Sequence, residues 1–378
     1  MQIKQIITIT LLLAPSLALA LSLQESIEEV LDSNPIYYES LKRFNIVREE
    51  LSIAKSAYRP TVNLRGAYGT ESTNAAATQF KDKDYTRSEV DVVIKQNLFK
   101  GFGDKYEIES KTNSLKSAAY GVLDAANSIS LEMSEAYLNL RRNHALVEVA
   151  NDNRVVHEEI LEQIRERTES GFGSRSEYEQ AGSRYALANA NYMTRVNSYE
   201  DAMSQFETLY GELPEIAELE EVTTSIELPE SLDEARDLAL EQNPSLLAQS
   251  YELKSVMEQY NSTKQSYFPV IDVELKKSIN ENVNGIAGKN ESLSGMVQLN
   301  WNLYNGGADQ LARQKSVSAL QQSNSAQQSE QRAINLALRL AWKKLKITKK
   351  QMKFLKQHVE LSKSTVDSYV EEFKLGRR

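Results

Sequence analysis

The chain has 378 residues, of which 41% are hydrophobic and 26% are charged, and its net charge is -9 at pH 7. These proportions exclude a disordered tail, and the acidic balance excludes a basic nucleic-acid-binding surface, so no nucleic-acid partner is predicted. The sequence contains no cysteine, which excludes disulfides and an acylated N-terminal cysteine.

Residues 1–20 have the features of a secretory signal peptide. Lys4 supplies a positive charge, an apolar run covers residues 6–13, and Ala18-Leu19-Ala20 provides a small-residue cleavage site. The apolar run is too short to span a bilayer, so an N-terminal membrane anchor is the weaker interpretation. We therefore expect the mature protein to begin after Ala20 and to leave the cytoplasm.

The rest of the sequence is predicted to consist of two copies of one unit. Asn34-Pro35 recurs 209 residues later as Asn243-Pro244, whereas the phrase NLFKGFGD at 97–104 recurs 205 residues later as NLYNGGAD at 302–309. The offset changes once, between these two landmarks. The change falls in a segment that looks like two strands and a loop, and loops absorb length changes that packed helices do not.

The first repeat is predicted to cover residues 21–210 and the second residues 231–378, joined by an acidic linker at 211–230. In each repeat Asn-Pro starts a helix, because asparagine caps and proline suits the first helical position. The further elements of the first repeat are a strand hairpin at 61–99, a long helix at 104–170 and a helix at 174–210. Those of the second repeat are a hairpin at 270–304 and a long helix at 309–375.

The strands alternate between apolar and polar residues, so each strand has one apolar face and one polar face. The polar positions Asn63, Arg65, Asp272 and Glu274 are predicted to face the lumen of a transmembrane β-barrel. A half-buried sheet in a soluble sandwich would alternate in the same way. Four strands are too few to enclose an aqueous lumen, so several chains would have to contribute.

Aromatic residues near the strand ends are candidates for an interfacial belt. Tyr68 and Trp301 occupy such positions, although ordinary strand aromatics would look the same.

The long helices carry an apolar strip with coiled-coil spacing. Ile129, Met133, Ala136 and Leu140 form it in the first repeat, and equivalent residues follow 205 positions later. The strip is rich in small residues, which suits helices packed side by side around a space, although a surface-exposed coiled coil would look similar.

No catalytic constellation is present in the sequence. His157 begins an HEEIL segment that lacks the second histidine of a zinc-binding motif, and no Lys-Ser/Thr follows Gly101-Phe102-Gly103 as a phosphate loop requires. We therefore predict neither an enzyme nor a cofactor nor a metal site.

Several of these segments together resemble the TolC-type outer-membrane channel family. They are the serine-leucine starts with Asn-Pro, the Tyr-x-Pro before each first strand, the two glycine strand ends, AYLNL, and HEEILEQIRERTESGFGSRSEYEQAGSRYALANA. The resemblance runs from about Ser22 to the last residue, and 93–214 is most similar to members that serve type I secretion.

The resemblance implies a mainly α fold with a β-barrel part. Each chain of a homotrimer would give four strands to one twelve-stranded outer-membrane barrel, which an α-helical barrel continues through the periplasm. The strand-to-helix joint would lie at Gly101 in the first repeat and at Gly306 and Gly307 in the second. The expected location is the cell outer membrane, in contact with its lipid.

The resemblance also implies a periplasmic tip that contacts an adaptor protein. The expected contact residues are Gly171, Phe172, Gly173, Arg175 and Gly376, and the adaptor would link the channel to an inner-membrane ABC or RND transporter.

Glu177 is a candidate entrance charge, since carboxylate rings favour cations. It is equally the capping-box partner of Ser174.

Arg378 corresponds to Gly173, so the second repeat lacks a counterpart of the helix at 174–210. We expect a C-terminally truncated chain, either a fragmentary sequence or a defective product, which would form the trimer poorly or not at all.

The leading functional hypothesis is an exit duct of a tripartite export system, with type I protein secretion ahead of efflux of drugs or other small molecules. A soluble periplasmic coiled-coil scaffold is the alternative from another class. The sequence does not identify the exported substrate.

Overall fold

The structure is a computed structural model that describes residues 21–213, 219–222 and 227–374. The predicted signal peptide, part of the predicted linker and Gly376 lie outside these residues.

The chain folds into seven α-helices and four β-strands within the described ranges. The helices are α1 (Leu23–Ser33), α2 (Pro35–Ser56), α3 (Gly103–Glu169), α4 (Arg175–Tyr210), α5 (Leu232–Gln242), α6 (Pro244–Ser262) and α7 (Ala308–Lys374). The strands are β1 (Thr61–Thr73), β2 (Lys83–Lys100), β3 (Val270–Val283) and β4 (Ile286–Asn300). A 3-10 helix, Thr263–Tyr267, follows α6.

The Asn-Pro pairs start helices for the predicted reason. The Asn34 carboxamide oxygen accepts from the backbone nitrogen of Ile36 at 2.8 Å, and the Asn243 oxygen accepts from that of Leu246 at 3.1 Å. Each asparagine thus satisfies a donor in the first turn that has no partner within the helix.

The two long helices each contain 67 residues. At about 1.5 Å per residue each spans on the order of 100 Å. Both begin one residue before the predicted boundary, because Gly103 and Ala308 are already helical. No helix in the described part of the chain is long and apolar enough to cross a membrane.

The strands form one antiparallel sheet in the order β1-β2-β3-β4. The hairpin of the first predicted repeat therefore lies beside that of the second, through the pairing of β2 with β3. The ladder is irregular between Asn97 and Phe99, where β2 bulges. β1 and β4 are the edges of this sheet.

Two compact units can be distinguished, and they cut across the predicted repeats. One comprises residues 1–39 and 125–226, and the other comprises 40–124 and 227–378. The repeats remain a description of the sequence, since each contributes helices to the second unit.

The first unit has an apolar core built on the predicted coiled-coil strip. Ile129, Met133, Ala136 and Leu140 are buried there. The side chains that complete this core come from α1, α3, α4 and the segment after α4: Val30, Tyr137, Ala202, Phe206 and Leu219. In α7, by contrast, the equivalent Leu345 is exposed.

The second unit packs its helices through polar and aromatic contacts. Ser255 of α6 is buried, and its hydroxyl lies 2.9 Å from that of Ser110 and 2.8 Å from that of Ser114, both on α3. Tyr120 and Tyr251 stack with ring centroids 5.6 Å apart. Small hydroxyl side chains allow these helices to approach closely while they satisfy each other's hydrogen bonds.

Candidate functional site: the sheet faces, the joints and the helical turn

Residues paired directly across antiparallel strands share a face of the sheet. The register therefore assigns the side chains of all four strands to two faces. One face is apolar and includes Val62, Leu64, Val90, Val92, Ile94, Val273, Leu275, Leu293, Val297 and Leu299. The opposite face is polar and includes Asn63, Arg65, Asp91, Lys95, Asn97, Asp272, Glu274, Lys276, Ser278 and Gln298.

The apolar face is open to its surroundings. Leu64 is 74% exposed and Val297 is 71% exposed. On β2 the apolar positions run from Val90 to Leu98, which is about 27 Å of strand. With the tilt of barrel strands, this length approaches the apolar band of about 25 Å that an outer-membrane barrel presents to lipid. Tyr68 of β1 lies on this face, whereas Trp301 follows the end of β4 and belongs to no strand.

The polar face is organised around Asp272, which is only 5% exposed. Lys95 Nζ lies 2.9 Å from one carboxylate oxygen of Asp272. The Asn97 side-chain amide donates to the other oxygen at 2.8 Å. The carboxylate therefore connects β3 to β2 through two charge-assisted contacts.

A second group on the same face repeats this arrangement. Lys276 Nζ lies 3.2 Å from a carboxylate oxygen of Asp91, whose other oxygen accepts a hydrogen bond from the Ser278 hydroxyl. Arg65 occupies the position on β1 directly opposite Asp91.

The four predicted lumen residues all lie on the polar face. Asp272 and Glu274 lie on β3 and Asn63 and Arg65 lie on β1, so β2 separates the two pairs. Within the described residues, Glu274 has no basic nitrogen within 4 Å, in contrast to Asp272. Lys95, Asn97 and Asp91 occupy alternating positions of β2, and the sequence alone does not show which side chains they meet. Alternation gives the face of a strand, but the partner of each charge follows only from the register.

The first strand-to-helix joint is tightly packed. Gly101 has φ +58°, and a Cβ there would lie 2.7 Å from the backbone oxygen of Gln265. A Cβ on Gly103 would lie 2.0 Å from the Gln265 side-chain oxygen. Phe99 and Phe102 add edge-to-face contacts with Phe268 at 6.3 and 6.0 Å between ring centroids.

The second joint has the same backbone conformation but no such packing. Gly306 has φ +57° and Gly307 has φ +82°, and a Cβ on either would meet no atom within 4 Å. Tyr304 beside them is 82% exposed. The backbone therefore takes positive φ at the glycines of both joints, and of the two only the first is covered by other residues.

The predicted tip is a tight turn between α3 and α4. Gly171 has φ +80°, and the backbone nitrogens of Phe172 and Gly173 both donate to the carbonyl of Arg167, at 2.9 and 3.0 Å. Phe172 is 83% exposed. Gly173 lies against Thr168, whose hydroxyl oxygen a Cβ would approach to 2.7 Å.

Arg175 and Glu177 have defined local roles at this turn. Arg175 Nε donates to Glu179 Oε1 at 2.9 Å on the exposed surface. The Glu177 carboxylate accepts from the backbone nitrogen of Ser174 at 3.1 Å, while the Ser174 hydroxyl accepts from the nitrogen of Glu177 at 3.2 Å. The capping box predicted from the sequence is therefore formed.

The three histidines do not assemble a site. His144 Nδ1 lies 3.8 Å from Glu148, one turn further along α3. Across the part of the chain that the structure covers, no group of three or more His, Cys, Asp or Glu is placed to hold a metal ion.

Comparison with known proteins agrees with this architecture. Residues 27–212 and 235–377 match the family described as outer membrane efflux protein. The chain is 22% identical to outer membrane efflux protein BepC of Brucella suis, over 96% of this chain and 78% of BepC. It is also 22% identical to alkaline protease secretion protein AprF of Pseudomonas aeruginosa, over 83% of this chain and 67% of AprF.

Solved structures show the same fold. The crystal structure of CusC superposes with a TM-score of 0.73 at 13% identity and covers 84% of this chain and 73% of CusC. The outer membrane protein VceC of Vibrio cholerae gives a TM-score of 0.69 at 15% identity, with 82% of this chain and 75% of VceC covered.

A sheet with one lipid-compatible face and one charged face, continued by long helices, defines a channel of the outer membrane. The chain belongs to the outer membrane efflux protein family, because the family match extends over most of its length. It is therefore a transport protein and not an enzyme, and the comparisons do not support the soluble scaffold hypothesis. Members of this family act as homotrimeric exit ducts with adaptor and inner-membrane transporter partners.

Proposed function

We propose that this chain forms the exit duct of a tripartite system that exports proteins by the type I route. The polar sheet face carries the argument: its acidic groups Asp272 and Asp91 are paired with Lys95 and Lys276. Because acidic and basic groups are paired, the polar face would line a water-filled lumen with little net charge of either sign. Such a surface suits a duct that passes unrelated segments of polypeptide.

The relatives support two related substrate classes. AprF is named for secretion of alkaline protease, and BepC is named for efflux. Protein export is the leading proposal, because the resemblance in 93–214 is greatest to type I secretion members. Efflux of drugs or other small molecules is the second candidate.

The turn between α3 and α4 is the proposed contact with a periplasmic adaptor. Phe172 projects from a backbone fixed by Gly171 and Gly173, so a large apolar side chain is presented without burial. Exposed aromatic residues on rigid turns serve as anchors in protein interfaces. Arg175 would add a charged contact at its rim, and Gly376 is the proposed equivalent in the second repeat. The adaptor would connect the duct to an inner-membrane ABC transporter, or to an RND transporter in the efflux alternative.

Glu177 is proposed as an entrance charge in addition to its capping role. Asn63, Arg65, Asp272 and Glu274 are proposed to line the lumen, and Gly101, Gly306 and Gly307 to connect each strand to a tunnel helix. The two repeats, 21–210 and 231–378, would give a trimer of such chains an approximate six-fold arrangement.

Complementation tests the proposed function. The full chain is expressed in a Gram-negative strain that lacks its own exit duct, together with a type I transporter, its adaptor and a secreted protease. Protease in the medium and unchanged drug susceptibility support protein export. Restored drug resistance without secretion would favour efflux instead. If the chain restores neither secretion nor drug resistance, the proposal is contradicted.

Phe172→Ser tests the adaptor contact in the same strain. Leu187→Ser is the matched control, since Leu187 is an exposed apolar residue of α4 away from the turn. We expect Phe172→Ser to reduce secretion about tenfold, consistent with loss of one interface anchor, and Leu187→Ser to leave it unchanged. Equal secretion by both variants would rule out Phe172 as an anchor.

A further inference from the structure

Helix α7 contains a strongly basic segment in a protein that is acidic as a whole. The chain has a net charge of -9, yet no Asp or Glu occurs in 331–359, where two arginines and seven lysines are found. All nine side chains are exposed. Among the residues that the structure describes, no carboxylate oxygen lies within 4 Å of any of them. The positive charge of this segment is therefore not balanced by its surroundings.

Four residues of this segment share one side of the helix. Trp342, Lys346, Lys349 and Lys353 follow one another at spacings of four, three and four residues, which places them on one face. These four residues are called the basic face, and they extend over about 17 Å along the helix axis. Trp342 is partly buried, and its indole nitrogen has no hydrogen-bond acceptor within the described part of the chain.

The first repeat provides a comparison, because α3 holds a polypeptide segment at the equivalent position. Under the offset of 205 residues, Trp342 and Lys346 correspond to Tyr137 and Arg141. The Tyr137 hydroxyl donates to the backbone carbonyl of Glu220 at 3.0 Å, and the Arg141 guanidinium donates to the same carbonyl. Two side chains of one helix face thus bind the main chain of another segment.

The segment that contains Glu220 is extended. Its backbone nitrogen donates to the Leu21 carbonyl at 3.2 Å, and Leu219 forms a parallel bridge with Leu21. Leu219 is buried in the core of the first unit. An extended segment leaves main-chain carbonyls available to side-chain donors, whereas a helix uses its carbonyls internally. The donors on α3 therefore recognise extended chain.

The second repeat retains a donor at both positions. The indole N–H of Trp342 stands where α3 has the Tyr137 hydroxyl, and the Lys346 ammonium stands where α3 has the Arg141 guanidinium. Both replacements can donate to a carbonyl oxygen. The basic face is therefore equipped to bind an extended main chain, as its counterpart on α3 does.

The next two positions of the face differ in charge between the repeats. On α3 they are His144 and Glu148, and His144 Nδ1 lies 3.8 Å from the Glu148 carboxylate. On α7 they are Lys349 and Lys353, which are both exposed. The repeat fold does not require these cations, because α3 forms without them. They select for negative charge in whatever segment lies on α7.

We propose that the basic face of α7 binds an extended, acidic segment of a partner protein in the periplasm. Main-chain carbonyls of the segment accept from Trp342 and Lys346, and its carboxylates pair with Lys349 and Lys353. Side chains on one side of an extended chain recur about every 6.6 Å, and the lysines recur about every 4.5–6 Å along α7. Acidic residues at alternate positions therefore meet successive lysines. This site is separate from the adaptor contact proposed for Phe172 and does not depend on the exported substrate.

A partner protein fits this face better than two other occupants. A second copy of the chain has its own acidic segment, 219–222, but that segment is already held on α3. An anionic polysaccharide would match the lysines, but it has no main-chain carbonyls for the donors of Trp342 and Lys346. The segment is therefore assigned to a different polypeptide.

Tryptophan fluorescence tests the proposal, because the sequence has only two tryptophans, Trp301 and Trp342. Trp301→Phe leaves Trp342 as the single reporter. The full chain is purified in detergent and titrated with the peptide EIAELEEVTTSI, which is the sequence of residues 215–226 and includes the segment held on α3. The control peptide has glutamine in place of every glutamate.

We expect the acidic peptide to change Trp342 emission saturably, to bind about tenfold more tightly than the glutamine peptide, and to bind more weakly at high salt. Lys346→Glu should weaken binding of the acidic peptide about tenfold, because it removes a donor and reverses a charge of the basic face. Lys344→Glu is the matched control, since Lys344 is equally exposed but lies on another side of α7, and it should leave the affinity unchanged. Circular dichroism shows whether both variants are folded.

Three results would overturn the proposal: no binding of the acidic peptide, equal affinity for both peptides, or an equal loss of affinity in Lys346→Glu and Lys344→Glu. A change in Trp342 emission that follows protein concentration without any peptide would assign the face to a second copy instead. Saturation by the anionic polysaccharide polygalacturonate, but not by the peptide, would assign it to a polymer. Secretion by the unmodified chain tests the channel separately, so the two proposals can fail independently.

Discussion

The Tyr137 hydroxyl oxygen lies 2.8 Å from the carbonyl oxygen of Leu21 and 3.0 Å from that of Glu220. The backbone at Leu21 also pairs with Leu219 in an isolated parallel bridge. One buried phenol in the middle of α3 thus holds two segments that are remote in sequence.

Tyr137→Phe should destabilise the first unit by about 1 kcal/mol, because the shared hydroxyl donor is lost while the ring remains packed. The Leu21 carbonyl still accepts from the Glu220 backbone nitrogen and the Glu220 carbonyl from Arg141, so neither is left without a donor. The midpoint of thermal unfolding of the purified chain, followed by circular dichroism, gives the measurement. The exposed Tyr178→Phe is the control and should leave the midpoint unchanged. Equal midpoints for both variants would show that the hydrogen bond of the Tyr137 hydroxyl adds nothing to the stability of the fold.

Asp124→Asn should stabilise the chain at neutral pH. Burial, together with the negative charge of Glu330, raises the pKa of Asp124 above its ordinary value of 3.8. A raised pKa means that the folded chain binds this proton more tightly than the unfolded chain. The stability is therefore full below the ordinary value and declines as the pH rises through the raised pKa.

The measurement is urea unfolding at several pH values. The gain from Asp124→Asn should be largest at pH 7 and should vanish as the pH approaches 3.8. The Glu330 carboxylate accepts from the Ser245 hydroxyl at 2.5 Å and stays in place in this variant. A gain that is constant with pH would indicate a packing effect instead of titration.

Asp272→Asn should weaken the sheet by about 1–3 kcal/mol, because Lys95 and Asn97 lose a charged partner in a nearly buried position. Glu274→Gln is matched in charge and strand but should change stability by less than about 0.5 kcal/mol, since surface substitutions of this kind have small effects. Urea unfolding in detergent, monitored by gel mobility, compares the two. A larger loss for Glu274→Gln would contradict the assigned pairing.

The sequence predicted the elements well where a local signal was strong. The Asn34 and Asn243 caps, the Ser174 capping box and the alternation of Val90, Val92 and Ile94 each depend on neighbours in the chain, and each is formed. Gly101 and Gly306 were recognisable because a positive φ favours glycine.

The remaining features depend on long-range register. Phe102 has φ +65° despite its side chain, and nothing in the local sequence indicates this. Contact with Phe268, remote in sequence, accompanies that conformation. The pairing of Asp272 with Lys95 likewise follows from the alignment of β2 with β3. The division into two compact units has no local signal in the sequence either, since a 67-residue helix contributes to both.

The two open edges of the sheet have a consequence for biogenesis. A strand edge without a partner is a template for pairing with other chains. An exported monomer would therefore be prone to aggregation until it associates with identical chains. In the proposed trimer, its stability would depend on the concentration of identical chains. In the proposed trimer, the amount of chain supplied and the rate of its export would therefore affect how much of this protein folds.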